Sequence, residues 1–360
     1  MSQFYRRVSR RRLLRSTGFG ACGLALAYLL GCGEGAEAPS PARPSPALPA
    51  LGWQRLESPG DVPGPRRDHS LSGSGDSGLF VFGGRAADAV LDDLWFFDVE
   101  AAAWTQLKPA DKPPARFGHN ALVISTQRQR PILYVFAGQN GSVFFDDLWA
   151  YDIASGEWQE VRADGGPPSG RYGAASTLDG NGRWIISHGF ATAGQLDDTW
   201  AFDPGENQWT DISPSGRRPV GRSLMRSSWD GGKERLLLFG GQSTSAPFLA
   251  DQWKLQGDSW IQIDVRAGPS PRHSYAAAFD AAVGGIILVG GRTESGPAND
   301  VWVFDSETDA WGQPSVEGEQ PAPRYGHDAA WLESQRSLFV SGGSDGTQEL
   351  NDLWKLTLAT

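Results

Sequence analysis

Cysteine is almost absent from this 360-residue chain: Cys22 and Cys32 lie near the start and the rest has none. A disulfide framework and thiol chemistry are therefore excluded beyond residue 32. No Walker loop, HExxH helix, CxxC pair or Ser-His-Asp order occurs, which removes the common nucleotide, zinc and acyl-transfer motifs. Long hydrophobic runs are also missing. The stretch "GFGACGLALAYLL" (18–30) falls short of the roughly 20 apolar residues needed to span a bilayer. Basic charge is scarce after the first segment. Residues 1–31 hold six arginines and no acid, and removing these from the 32 basic residues leaves 26 against 42 acidic ones. A surface carrying about −16 repels phosphate backbones, so nucleic acid is excluded as a partner.

What is present is glycine (46), proline (24) and tryptophan (15) in a repeating order. Trp53, Trp104, Trp158, Trp209, Trp260 and Trp311 recur at spacings of 51, 54, 51, 51 and 51 residues. Each unit opens with an arginine after a Pro/Gly-rich turn: Arg66, Arg116, Arg171, Arg222, Arg272 and Arg324. An apolar run ending in glycine follows, as in "LFVFGG" (79–84) and "LLLFGG" (236–241), and then an Asp-x-Trp strand such as "DLWFFD" (93–98). Four short strands per unit, with continuously apolar second strands, predict antiparallel blades covered on both faces by neighbours. A period of about 50 residues is that of propeller arrays.

The Gly-Gly pair, the later Trp and the spacing together resemble the kelch family over residues 53–358, with departures at Ala137 and His188. The resemblance implies an all-β fold, a six-bladed β-propeller of four-stranded antiparallel blades. The repeats start on a Trp strand, "WQRL" (53–56), with no blade before it, and after "DLWKL" (352–356) no seventh Trp strand follows. Pairing these two strands would complete blade six and remove the open sheet edge.

The N-terminal segment resembles an export signal. "SRRRLLR" (9–15) is similar to a twin-arginine motif, with Arg10 and Arg11 as the pair, and "LLGC" (29–32) resembles a lipobox, which implies lipidation of Cys32. The expected organisation is a signal peptide over 1–31, a lipidated Pro-rich linker over 32–52 and the propeller over 53–360. The implied location is a bacterial cell envelope, exported and facing the periplasm or exterior, with membrane contact through the lipid alone.

Columns that repeat build scaffold, whereas columns that vary are candidates for function. Asp93, Asp147, Asp198, Asp251, Asp300 and Asp352 occur once per unit, so they are read as turn carboxylates or partners of the opening arginine. The column just past the glycines varies: Arg85, Gln139, Phe190, Gln242, Arg292 and Ser344. The next loop adds Phe144 and Phe248. Arg85, Gln139, Phe144, Phe190, Gln242, Phe248 and Arg292 are thus the candidate binding residues, on one end of the ring. A third column holds His69, His119 and His327. It is either a metal site of three imidazoles facing the channel or a set of locally bonded repeat residues.

No cofactor is expected and no catalytic residue is assigned. The leading functional reading is a module that binds a protein or carbohydrate ligand. Within the kelch resemblance, a cysteine-free propeller argues against copper oxidases with a Cys–Tyr cofactor. A sugar-active enzyme similar to sialic-acid mutarotases stays open, with Arg85 or Arg292 as carboxylate anchors. A structural envelope component is the third reading.

Overall fold

The computed structural model describes residues 48, 50–75, 77–126, 129–265, 267–280 and 283–358. Among these residues there are strands and turns and no helix. Blade one pairs Ser70–Ser74, Gly78–Phe82, Leu94–Asp98 and Ala103–Leu107 in chain order, from the innermost strand outward. Blades two to five repeat this plan, with second strands Gln129–Phe136, Trp184–Ala191, Arg235–Gly241 and Gly285–Thr293.

Every residue of Gly78–Phe82 and of Arg235–Gly241 is buried, because each blade is sandwiched between two others. Aromatic rings couple consecutive blades. Phe82 meets Trp158 at 5.5 Å, Phe136 meets Trp209 at 4.8 Å and Phe239 meets Trp311 at 5.2 Å between ring centroids. Rings of this kind bury on the order of 150–250 Å² each and dominate core energetics.

The ring closes through blade six. Leu51–Leu56 runs antiparallel to Glu349–Leu358, with Trp53 opposite Leu356. Trp53 stands edge-on to Trp354, centroids 6.3 Å apart. The closing strand reaches two residues further back than "WQRL", because Leu51 is almost fully buried and Gly52 pairs with Thr357. Val316–Glu317 then pairs parallel with Leu51–Gly52 and makes this blade five-stranded. The connecting segment thereby covers an outer edge that would otherwise stand open.

The innermost strands do not begin at the arginines that open each unit, although blade five carries a separate two-residue strand there, Arg272–His273. They begin about four residues later, at Ser70, Asn120, Ala175, Arg226, Ala276 and Asp328. The cause is backbone geometry. The residue two past each arginine has positive φ: Asp68 54°, Gly118 61°, Gly173 63°, Leu224 60°, Ser274 52° and Gly326 65°. That left-handed step turns the chain before it enters the strand.

The departures at Ala137 and His188 change residue but not shape. They hold φ of 67° and 62°, like Gly83 at 58° and Gly240 at 55°. A non-glycine residue pays roughly 1–2 kcal/mol for this conformation. At blade three the His188 ring packs edge-on against Trp260, 5.9 Å away. It occupies the place that Phe82, Phe136 and Phe239 take in other blades, where this blade has only Ser187.

Candidate functional site

The repeated Asp-x-Trp motif is scaffold. Arg66 donates to both oxygens of Asp93 (2.7 and 2.8 Å) and to the Gly83 carbonyl, and Trp95 Nε1 donates to Asp93 Oδ2. The same cluster recurs in all six blades, through Arg116–Asp147, Arg171–Asp198, Arg222–Asp251, Arg272–Asp300 and Arg324–Asp352. Burial alone would raise the Asp93 carboxyl, but the hydrogen bonds and charge of Arg66 outweigh it and hold the group below its usual value. The arginines are buried, so these are bidentate, charge-assisted bonds.

Two residues past each arginine, the six left-handed turns join hands around the axis. The N–H of Asp68 donates to Gly326 O, Gly118 to Asp68, Gly173 to Gly118, Leu224 to Gly173, Ser274 to Leu224 and Gly326 to Ser274, all at 2.7–2.8 Å. This closed hoop of backbone bonds narrows the central channel at one end. Beneath it, Arg226, His69 and His119 border a space of about 20 Å³, room for about one water.

Outside the hoop lies the rim that carries the candidate binding column. The residue after each opening arginine forms a backbone bridge with the residue after the glycines: Arg67 with Arg85, Phe117 with Gln139, Tyr172 with Phe190, Ser223 with Gln242, His273 with Arg292 and Tyr325 with Ser344. Side chains then link blade to blade. Arg292 stacks on Tyr325 at 5.0 Å, and Arg67 lies 5.9 Å from the same ring while donating to its hydroxyl at 3.2 Å. Asp68 accepts from Arg85 at 2.8 Å, and Arg85 stacks on Phe117 at 4.7 Å. Phe117 meets Tyr172, and Tyr172, Phe144 and Phe190 form a triangle with centroids 5.8–6.2 Å apart. Phe248 stacks flat on His273, 5.2 Å away. Gln139 Nε2 is tied to its own loop through Gly141 O. Gln242 lies at the bridge with Ser223 and does not join the stacked arc.

The sequence reading missed half of this arc. Arg67, Phe117, Tyr172, His273 and Tyr325 form a second variable column, one residue after the repeated arginine. The rule applied to the post-glycine column finds them when applied there.

Of the three histidines, His69 and His119 border the small space under the hoop and His327 does not. Each of the three turns back toward the preceding blade. His119 shares a 2.9 Å hydrogen bond with Ser70 and packs on Phe82. His327 Nε2 donates to Val289 O, and His69 lies under the Gly342 turn of blade six. The hoop rotates this column into the interface between blades. Among the described residues no three His, Cys, Asp or Glu side chains converge as metal ligands. Burial pushes His69 and His327 down to about 3, helped by Arg66 and Arg324 respectively, and His119 well below its ordinary value. These are neutral core groups.

The chain was compared with known proteins. A family model described as the KLHDC2/KLHL20/DRC7 Kelch-repeats domain matches residues 47–233 and 223–360. Acyl-CoA-binding domain-containing protein 4 of Arabidopsis thaliana is 27% identical over 271 residues, 71% of this chain and 39% of that protein. A Drosophila melanogaster leucine-zipper-like transcriptional regulator 1 homolog is 24% identical over 332 residues, 86% of this chain and 32% of its own length. Adagio-like protein 3 of Oryza sativa is 27% identical over 341 residues, 89% and 53% respectively. The chain thus spans about a third to a half of these relatives.

They are plant and insect proteins, and this overturns the expected placement in a bacterial cell envelope. That placement rested on a short N-terminal pattern alone. Arg10, Arg11 and Cys32 lie outside the described residues. The relatives lend no support to a lipid anchor, a carbohydrate ligand or a sugar-active enzyme. Six blades, a hoop of identical turns and a family match running from residue 47 to the end lead to one assignment: the chain belongs to the Kelch-repeat family.

Proposed function

We infer that this propeller is a protein-binding module whose partner docks on the rim outside the backbone hoop. The observation that carries this is the connected arc of half-buried rings and guanidiniums: Arg292, Tyr325, Arg67, Arg85, Phe117, Tyr172 and Phe190. Aromatic and arginine side chains supply most hot spots of protein interfaces. Their mutual stacking holds them in place before a partner arrives, which lowers the ordering cost of binding. The cations set the partner's chemistry. Arg67 and Arg85 are matched by Asp68 and Glu349, while Arg292 has its ring partner and an imidazole neighbour. The reading therefore names an extended segment with an acidic residue for Arg292 and an apolar or aromatic residue for the Phe144–Tyr172–Phe190 triangle. The relatives support it in one respect: in them the matching region is a part of a longer protein.

The test is selection of displayed peptides against the full chain. Enriched peptides should combine an acid with an aromatic residue, and their binding should be lost in Tyr172→Ala and Arg292→Ala. Peptides that survive both changes but lose binding when Trp229 and Trp331, on the opposite face, become alanine would overturn the assignment.

A further inference from the structure

Below the hoop the channel widens into a cup. A cavity of about 390 Å³ is lined by the innermost strands of all six blades. Its lining runs from Arg226 and Asp328, near the hoop, to Trp229, Phe279 and Trp331 at the far ends of their strands. These three rings are part-exposed, so the cup opens on the face opposite the rim. A volume of this size lies at the lower end of the range for small-molecule sites.

Four residues past each opening arginine lies one layer of the repeat: Ser70, Asn120, Ala175, Arg226, Ala276 and Asp328 in blade order, of which Asn120, Arg226 and Asp328 line the cup. Only two of the six are charged, and they carry opposite signs. Arg226 reaches past blade five to Asp328 of blade six, Nη2 donating to Oδ1 at 3.0 Å. Asp328 Oδ2 also accepts the Leu71 N–H at 2.9 Å. One N–H of the guanidinium is engaged in this pair, and its other donors have no protein acceptor among the described residues. Asn120, Ser72 and Ser227 also line the cup, while their unpartnered oxygens are turned away from its accessible surface. Above the floor the shaft is walled by small side chains, among them Ser176, Thr177, Ala277, Ala278 and Ala329.

We propose that this cup binds a small zwitterion of the α-amino-acid type, carboxylate on Arg226 and ammonium on Asp328, with its side chain rising between the alanines toward the ring of aromatics. A fixed cation and a fixed anion a hydrogen bond apart match a carboxylate and an ammonium on one carbon. A net-neutral floor disfavours dianions and dications, which leave one charge uncompensated. A polar bottom with an apolar mouth orients the ligand polar end first. The site is independent of the rim reading, because it lies on the other side of the hoop.

The experiment is calorimetric titration and thermal melting of the full chain with free phenylalanine and leucine at millimolar concentration. The same measurements are made with N-acetylphenylalanine, phenylalanine amide and glucose. The free amino acids should bind and raise the unfolding midpoint. Removing either ligand charge should weaken binding about tenfold or more, as expected for loss of a charge-assisted bond. Glucose should not bind. Asp328→Asn and Arg226→Met should abolish binding, while Tyr172→Ala on the rim should leave it unchanged. The comparison of derivatives uses the unaltered protein, so a variant that folds poorly cannot mask the answer. No binding of any free amino acid overturns the proposal. So does equal binding of free and acetylated ligand, or tighter binding of glucose.

Discussion

Arg171 and Tyr172 are neighbours in the chain and belong to two different kinds of layer. Arg171 is one of six copies, buried, bonded to Asp198 and to the His188 carbonyl in the way that its five counterparts are bonded in theirs. Tyr172 has no counterpart of its kind in blade one or blade four, and it faces the rim between Phe117, Phe144 and Phe190. One residue therefore separates a position where the fold tolerates a single answer from one where it tolerates many. Variation next to invariance within one chain marks where the scaffold ends.

The largest test of that contrast removes part of the scaffold. Deleting residues 1–57 takes away the closing strand, and the ring then exposes Trp354 and the edge of Glu349–Leu358. Loss of cooperative unfolding is expected, whereas deletion of 1–47 should leave the melting transition in place. Equal melts for the two would show that closure contributes nothing.

Next in size is a single repeated position. Arg171→Met leaves Asp198 without its partner in a largely buried setting, and breaking such a pair costs about 3–5 kcal/mol. Tyr172→Ala should cost less than half of that, because its ring is partly exposed. Urea denaturation of the two variants reads the difference directly.

Acid probes the buried histidines. His69, His188 and His327 are pushed down to about 3 and His119 well below its ordinary value, in each case first by burial. The folded protein keeps them neutral while the unfolded chain takes up protons near 6.5. Their contribution is therefore complete above pH 6.5 and is lost as pH falls toward 3. His69, His188 and His327 each account for about 2 kcal/mol between pH 6.5 and 5, at roughly 1.4 kcal/mol per unit. His327→Gln should flatten the fall in denaturation midpoint by one such share, and an unchanged slope would contradict the assignment. The smallest effect is expected at Ala137→Gly, which relieves a left-handed alanine and should stabilise by up to about 1 kcal/mol. Gly138→Ala, one residue on, should destabilise, since its Cβ would lie 2.9 Å from that of His119.

The parts of the fold that were legible in the sequence are those set by side chains. The Trp period, the glycine turns and the split blade all appear as residue types at fixed intervals. The hoop was not legible, because its bonds are backbone to backbone. Asp68, Gly118, Gly173, Leu224, Ser274 and Gly326 share a dihedral angle and little else. The aim of the histidine column was hidden for the same reason, since the turn that sets it is invisible in the residues. Arg226 and Asp328 stand 102 positions apart, with a whole blade between them, and no local pattern pairs them. On the candidate rim, the post-glycine column was found because the glycines point to it. The column after the arginine has no such pointer, because the residue beside it is the repeated arginine.

The hoop also bears on how the molecule meets anything that touches it. All six N–H groups point the same way around the axis, and the link across the seam, Asp68 to Gly326, is as short as those inside the chain. A load placed on one blade is therefore shared with five others, and no blade can tilt outward without breaking bonds on both sides. The surface above it is presented by an inelastic frame. Adjustment to a visitor falls to rotamers and not to backbone, so recognition there should select shape more sharply than a ring of free loops would.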